Sequence, residues 1–293
     1  GMGVFSRVVR TTIPFGAAAL TAYACTEDKG AAPFRILHAF ANDASASSSA
    51  FDADFPRAQW NANWDFRDPM SLINERKFNK ATDEDKAKMM EEATATQKRT
   101  IILVRHGHYD YKSKEHALDE LGRGQAEIVG KRLAASHEKN PIEAVHMSTM
   151  TRATETANII LEQLPAGIAR SSDANLEEGT PYPPTPHPNI PDDWVPTANK
   201  YYTERARVET AFRKYFYRAA PEQKKDTTEV IVAHGIIIRY LVCRALQLPL
   251  EAWNRLEVFN ASITVVVIHP NGEVKLHALG DLGHLPEEKI TLY

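Results

Sequence analysis

Three aliphatic runs in the chain each stop at a cluster of polar residues and pass straight into a helical pattern. Residues 100–104 (TIILV) end at Arg105-His106-Gly107, and residues 229–233 (EVIVA) end at His234-Gly235. Residues 144–147 end at Ser148, with Thr151-Arg152-Ala153 on the turn that follows. Continuous β-branched and aliphatic runs are the pattern of strands buried on both faces. Residues 118–137, with apolar Leu121, Ile128 and Leu133, read as a helix. So do residues 151–164, for which Ser148 and Thr149 are candidate caps, and residues 236–246. Residues 263–269 and 273–279 bracket Pro270-Asn271-Gly272, a hairpin turn signal. This order predicts an α/β three-layer sandwich, with a mostly parallel central sheet and helices on both faces. Ligands of such sheets bind beyond the carboxyl ends of the strands. Chemistry is to be sought there.

Two arginines and two histidines stand at those ends, where helix N-termini point the same way. Backbone N–H groups and the positive end of a helix suit an anion, and guanidinium forks match phosphate oxygens. Either dipeptide alone is weak evidence, but the three at successive strand ends point to one phosphate. The bulk composition agrees with a folded soluble domain, at 43% hydrophobic and 25% charged residues, and excludes a disordered chain, a collagen-like fibre or a multi-span membrane protein. Lys and Arg total 35 against 38 Asp and Glu, whereas a chain built to grip nucleic acid is usually basic. Two cysteines, Cys25 and Cys243, supply neither a disulfide framework nor a four-ligand zinc site. With no Walker-type loop and no carboxylate cluster suited to magnesium, neither metal nor cofactor is expected.

The first hundred residues read differently. Arg7 and Arg10 precede an uncharged run over residues 11–26, shorter than the roughly 20 residues of a comfortable membrane span. Residues 1–28 are expected to be a membrane anchor or targeting segment; a cleaved secretory signal (Ala22-Tyr23-Ala24 is a candidate site) and an organelle-targeting segment are the competing forms. A lipoprotein anchor through Cys25 fits poorly, since Ala22 stands where Leu is usual. Residues 29–59, rich in Ala, Ser, Asp and Pro, read as a flexible linker. Residues 60–98 form the next unit, which opens with Trp60-Asn61-Ala62-Asn63-Trp64-Asp65, two of the chain's four tryptophans. These either pack on their own domain or anchor in another subunit, and spacing does not choose. Residues 82–98 are expected to be a lead-in helix, with Thr82 as N-cap and Asp85 at N3. The catalytic domain is then residues 99–293.

The motifs Leu103-Val104-Arg105-His106-Gly107, Leu121-Gly122-Arg123-Gly124-Gln125-Ala126, residues 148–156 (STMTRATET) and Val232-Ala233-His234-Gly235 resemble the histidine phosphatase superfamily, which includes the cofactor-dependent phosphoglycerate mutases. The resemblance covers residues 100–293 and implies a phosphoglycerate-mutase-like fold. With the tryptophan segment and the N-terminal anchor added, the chain resembles the superfamily's mitochondrial Ser/Thr protein phosphatases. That implies phosphoprotein substrates, a mitochondrial membrane location, and self-association into a homo-oligomer through Trp60, Asn63, Trp64 and Asp65. Asn61 stands where that motif's first Asp is expected.

The expected chemistry is metal-independent. His106 attacks phosphorus and forms a phosphohistidine, while its other nitrogen donates to a carbonyl in the Arg-His-Gly turn. Arg105, Arg152 and His234 surround the equatorial oxygens. Leu176-Glu177-Glu178-Gly179 resembles the segment that carries the family's general acid; the register selects Glu178, with Glu177 as the neighbouring alternative. His108-Tyr109-Asp110-Tyr111 replaces a Thr and an Asn that contact substrate in many relatives. Residues 179–199 hold seven prolines and no Lys or Arg, which suits a groove for an extended peptide better than a closed bisphosphate pocket. His187, within that stretch, reads as an exposed loop residue. The rival functions are a small-molecule phosphatase or mutase using the same residues, and a scaffold that only binds phosphorylated partners.

Overall fold

The computed structural model describes residues 59–188 and 195–292. The expected anchor, the linker up to residue 58, and residues 189–194 of the proline-rich stretch lie outside the described residues.

Six strands form one sheet: β1 Arg99–Arg105, β2 Ile142–Ser148, β3 Ala169–Asp173, β4 Thr227–Ala233, β5 Ile263–Ile268 and β6 Val274–Asp281. Their order is β3-β2-β4-β1-β5-β6. The first four run parallel, while β5 and β6 add an antiparallel hairpin at one edge. Among the described residues seven α-helices accompany them: α1 Pro69–Leu72, α2 Glu75–Lys80, α3 Asp83–Ala93, α4 Glu120–His137, α5 Thr151–Gln163, α6 Ala198–Tyr215 and α7 Gly235–Ala245.

The period-2 geometry of a strand sorts β1 into two cores. Ile101 and Leu103 join Ile231 and Ala233 of β4 under α6 and α7. Ile102 and Val104 join Val230 and Val232 under α4 and α5. Each such aliphatic side chain, fully buried, stabilises the fold by about 1.5–3 kcal/mol relative to exposure. Helices therefore cover both faces, and the three-layer α/β expectation holds.

Several elements differ in detail. Helix α5 has Met150 as its N-cap, with no side-chain cap, although Ser148 and Thr149 were the expected candidates. Ser148 is the last residue of β2, and its hydroxyl meets the Met150 N–H and His234 Nε2 instead. The lead-in helix keeps its Thr82 cap, which accepts from the Asp85 N–H at 3.2 Å, but ends at Ala93. Strand β3 (ARSSD) and helix α6 carry no aliphatic run to announce them: β3 buries one residue of five and α6 four of eighteen.

The tryptophan segment packs on its own domain, but not with both rings. Trp64 is buried against Phe212, with ring centroids 5.7 Å apart, and its Nε1 donates to Gly272 O at 2.8 Å. Asp65 pairs with Arg218, Nη2 to Oδ1 at 2.8 Å, the two side chains being 1% and 3% exposed. Asn63 ties the segment to α1, accepting from the Asp68 N–H and donating to Ser71 Oγ. Trp60 remains 41% exposed.

An ion pair this buried is costly to break from one side, because the surviving charge has no solvent. Arg218→Met is expected to lower the unfolding free energy by about 3–5 kcal/mol in urea denaturation.

Candidate active site

The Arg-His-Gly turn is built by close backbone approach. The His106 N–H extends the β1–β4 ladder to Ala233 O, and Asn260 Nδ2 donates to His106 O at 3.1 Å. A Cβ on Gly107 would lie 2.5 Å from Gly122 O, and one on Gly122 would lie 1.9 Å from His108 O. Only two glycines let the first turn of α4 meet the turn after β1. Asp119 caps α4 through the Gly122 N–H, and its other oxygen takes His108 Nδ1 at 2.6 Å. The Gly107 N–H donates to Thr156 Oγ1 of α5.

His106 is 2% exposed, and its two nitrogens have different partners. Nδ1 lies 2.8 Å from Gly107 O, which can only accept. Nε2 lies 3.1 Å from Arg152 Nε, which can only donate. Both are satisfied by one neutral tautomer, with the proton on Nδ1 and a lone pair on Nε2. Burial holds the imidazole pKa well below its ordinary value, and the Arg152 charge adds to this.

Arg152 is buried, stacks its guanidinium over Tyr109 at 4.7 Å, and brings that ring edge-on to His106. His234, fully buried at the N-cap of α7, sits 5.1 Å from His106 between ring centroids. Burial keeps it neutral too, aided by His106 and Arg152. Arg105 spends Nη1 on two backbone carbonyls, Val258 O and Leu292 O, at 2.8 and 2.7 Å. Its Nε and His234 Nδ1 are buried without a hydrogen-bond partner in the protein. Buried polar atoms left unpaired by the protein are ones that a polar ligand can satisfy.

Glu178 and Glu177 part company. The Glu178 carboxyl is pushed up in pKa by burial, against the Gly179 N–H and the charges of Arg105, Arg152 and Arg239. Glu177 instead accepts from Thr149 Oγ1. Among the described residues, no group of three or more His, Cys, Asp or Glu side chains is gathered to hold a metal.

Arg105, His106, Arg152 and His234 thus converge, with Glu178 within their electrostatic reach. Trp60, Asn63, Trp64 and Asp65 belong to a different surface. Tyr109, Asn260 and the Leu292 carbonyl were not foreseen as parts of the site, Tyr109 alone of these carrying a signal as a departure from the family pattern; Ser148 and Thr156 stand in the 148–156 motif but were given no role in the site. The described part of the proline-rich stretch before residue 189 is braced through its carbonyls. Thr185 O, Pro186 O and Tyr182 O accept from Arg255, Asn254 and Trp253. His187 is exposed, its Nδ1 against Pro188 O.

Residues 101–281 match the histidine phosphatase superfamily (branch 1). The chain belongs to that superfamily. It is an enzyme of the phosphatase class. The mitochondrial serine/threonine-protein phosphatase Pgam5 of Caenorhabditis briggsae is 47% identical over 286 residues, 98% of this chain and 99% of the relative. Its human counterpart, PGAM5, is 46% identical over 237 residues, 79% of this chain and 80% of the relative. Among solved structures, a phosphoglycerate mutase from Plasmodium falciparum is 32% identical, with a TM-score of 0.46, covering 68% of this chain and 100% of the other.

The two neutral histidines link stability to pH. Unfolded, each titrates near 6.5, and folded, each lies well below. Between those values the unfolded chain binds more protons, so the contribution is full above pH 6.5 and shrinks as pH falls. The limiting slope is about 1.4 kcal/mol per pH unit for each histidine. Urea denaturation at stepped pH from 7 to 5 is expected to show the decline (on the order of one to three kcal/mol), and His106→Asn to flatten it.

Proposed function

We propose that the protein hydrolyses phosphoserine and phosphothreonine monoesters in protein substrates through a phosphohistidine at His106. The observation that carries this reading is the state of that side chain: a neutral imidazole with Nδ1 donating to Gly107 O and the Nε2 lone pair beside a guanidinium. In this mechanism Nε2 attacks phosphorus and the bond to the substrate oxygen breaks. Glu178, whose carboxyl burial shifts toward the protonated form, gives its proton to the leaving alkoxide. Water then attacks the phosphohistidine, Glu178 takes up its proton, and inorganic phosphate leaves.

Arg152, the unpartnered Arg105 Nε and His234 Nδ1 hold the equatorial oxygens, where charge spreads during transfer. Substrate class rests on the relatives, which carry the name of serine/threonine-protein phosphatases. The lack of Lys or Arg in residues 179–199 supports it, since a bisphosphate pocket wants cations.

The same reading extends to location and assembly. The relatives are named mitochondrial, and residues 1–28 would tether the protein to a mitochondrial membrane. No helix among the described residues is long and apolar enough to cross a membrane. Trp60, Asn63, Trp64 and Asp65 would build a homo-oligomer whose assembly raises activity. Burial supports a division of labour: Trp64, Asp65 and Asn63 hold the segment on its own chain, which leaves exposed Trp60 as the side chain that would meet another copy.

Rapid quench with a radiolabelled phosphoserine peptide should trap an acid-labile label on His106. His106→Ala should lower kcat/KM by on the order of 10³-fold or more with its circular dichroism unchanged. Turnover near wild type by the folded variant contradicts the mechanism. In light scattering, Trp60→Ala should shrink the particle without lowering the melting temperature; an unchanged mass removes Trp60 from the assembly.

A further inference from the structure

We propose that Arg207, on α6, is a positioning residue for Glu178: its guanidinium gathers the backbone carbonyls of the segment that carries this carboxyl and sets where the carboxyl stands. The inference rests on the reading of Glu178 as general acid.

Residues 174–179 leave the end of β3 through one short 3-10 turn, Ala174–Leu176. Ala174 O takes the Glu177 N–H, and the carbonyls that follow at the end of so short a turn have no helical partners. Arg207 supplies them. Nη1 donates to Ala174 O at 3.2 Å, Asn175 O at 3.0 Å and Glu177 O at 2.8 Å, and Nη2 reaches Glu178 O at 3.5 Å. One planar cation thus faces four carbonyl dipoles within five residues, which a point-charged ammonium cannot reproduce.

The clamp is itself fixed. Glu204, three residues earlier on α6, accepts from Nη2, and the two side chains are only 20% and 21% exposed. The start of the segment is held by the same helix, through Lys214 Nζ and Tyr215 Oη, each 2.7 Å from Asp173 Oδ2. Gly179 completes the arrangement. A Cβ there would lie 2.0 Å from Glu204 Oε2 and 2.7 Å from Arg207 Nη2, so the glycine leaves the space that the ion pair fills.

What the clamp decides is which of two adjacent glutamates faces the arginines. With the carbonyls of Glu177 and Glu178 both held by Arg207, the backbone cannot rotate the pair. Glu177 is then turned to Thr149 Oγ1, and Glu178 to the enclosed side near Arg105 and Arg152.

The test separates proton delivery from general damage. Using the full-length chain, kcat/KM is measured on a phosphoserine peptide, whose alkoxide needs a proton, and on p-nitrophenyl phosphate, whose phenolate does not. Arg207→Ala is expected to lose about tenfold or more on the peptide and less than about threefold on the aryl ester, within the range general acid catalysis supplies. Arg207→Lys should recover part of that loss. Gly179→Ala, which keeps every charge but displaces the pair, should show the same split, and it serves if Arg207→Ala does not fold. Glu178→Gln is the reference and should show the largest split. Should Glu178→Gln split the substrates while Arg207→Ala and Gly179→Ala do not, the clamp is wrong and the acid stands. Should Glu178→Gln lose equally on both, the acid reading fails and the clamp falls with it.

Discussion

Two guanidinium groups held beside two imidazoles in a largely dry site set the terms for everything around them. A buried cation without compensation costs several kcal/mol, so each must be met. Arg152 is met by the His106 lone pair, by Met150 Sδ and by the face of Tyr109. Arg105 is met by two main-chain carbonyls that come from opposite ends of the C-terminal region, Val258 and Leu292. Neither histidine can carry a proton there, because burial and the neighbouring arginines both oppose it. The consequence is chemical: the charge arrangement that suits an anion also keeps the imidazole unprotonated at Nε2, where it accepts from Arg152.

Main-chain carbonyls as partners of arginine recur through the fold. Arg99 binds Tyr215 O and Tyr217 O, Arg218 binds Ala62 O, and Arg255 binds Thr185 O. Tyr215 O ends α6 and the other carbonyls lie outside helices and strands, so no helix or sheet ladder pairs them. The guanidinium carries five donors in a rigid fork, so a single side chain can staple a loop and keep its charge. Arg207 applies this device to the segment bearing Glu178, and Arg218 applies it to the tryptophan segment. Loops that shape the site are therefore set by helices and strands rather than by their own sequence.

The strands of the parallel core were legible because burial on both faces leaves an aliphatic run. Their lengths were not, since β1 begins and ends in Arg99 and Arg105 and β4 begins in Thr227 and Thr228, polar residues that join the ladder through their backbones. Strand β3 escaped notice as a polar edge, and α6 because a helix covering one face needs only Val208, Ala211, Phe212 and Tyr215 inside. At the site, strand-end position exposed Arg105, His106, Arg152 and His234. Asn260 and Leu292 were invisible, being more than 150 residues from His106 and joined to it only by folding.

Taken alone, the amino-acid order settled the α/β class and the strand ends at which Arg105, His106 and His234 stand. These are readable because periods of 2 and 3.6 are local properties. Tertiary structure alone decided that His106 keeps its lone pair on Nε2, that Glu178 rather than Glu177 nears the arginines, and that Trp64 is buried while Trp60 is not. Each of these depends on which donor, carbonyl or ring arrives from a distant element: Arg152 at Nε2, Arg207 on the Glu177 carbonyl, Phe212 against Trp64. A side chain's chemistry is set by the partners that replace its water, and those are chosen when the layers close.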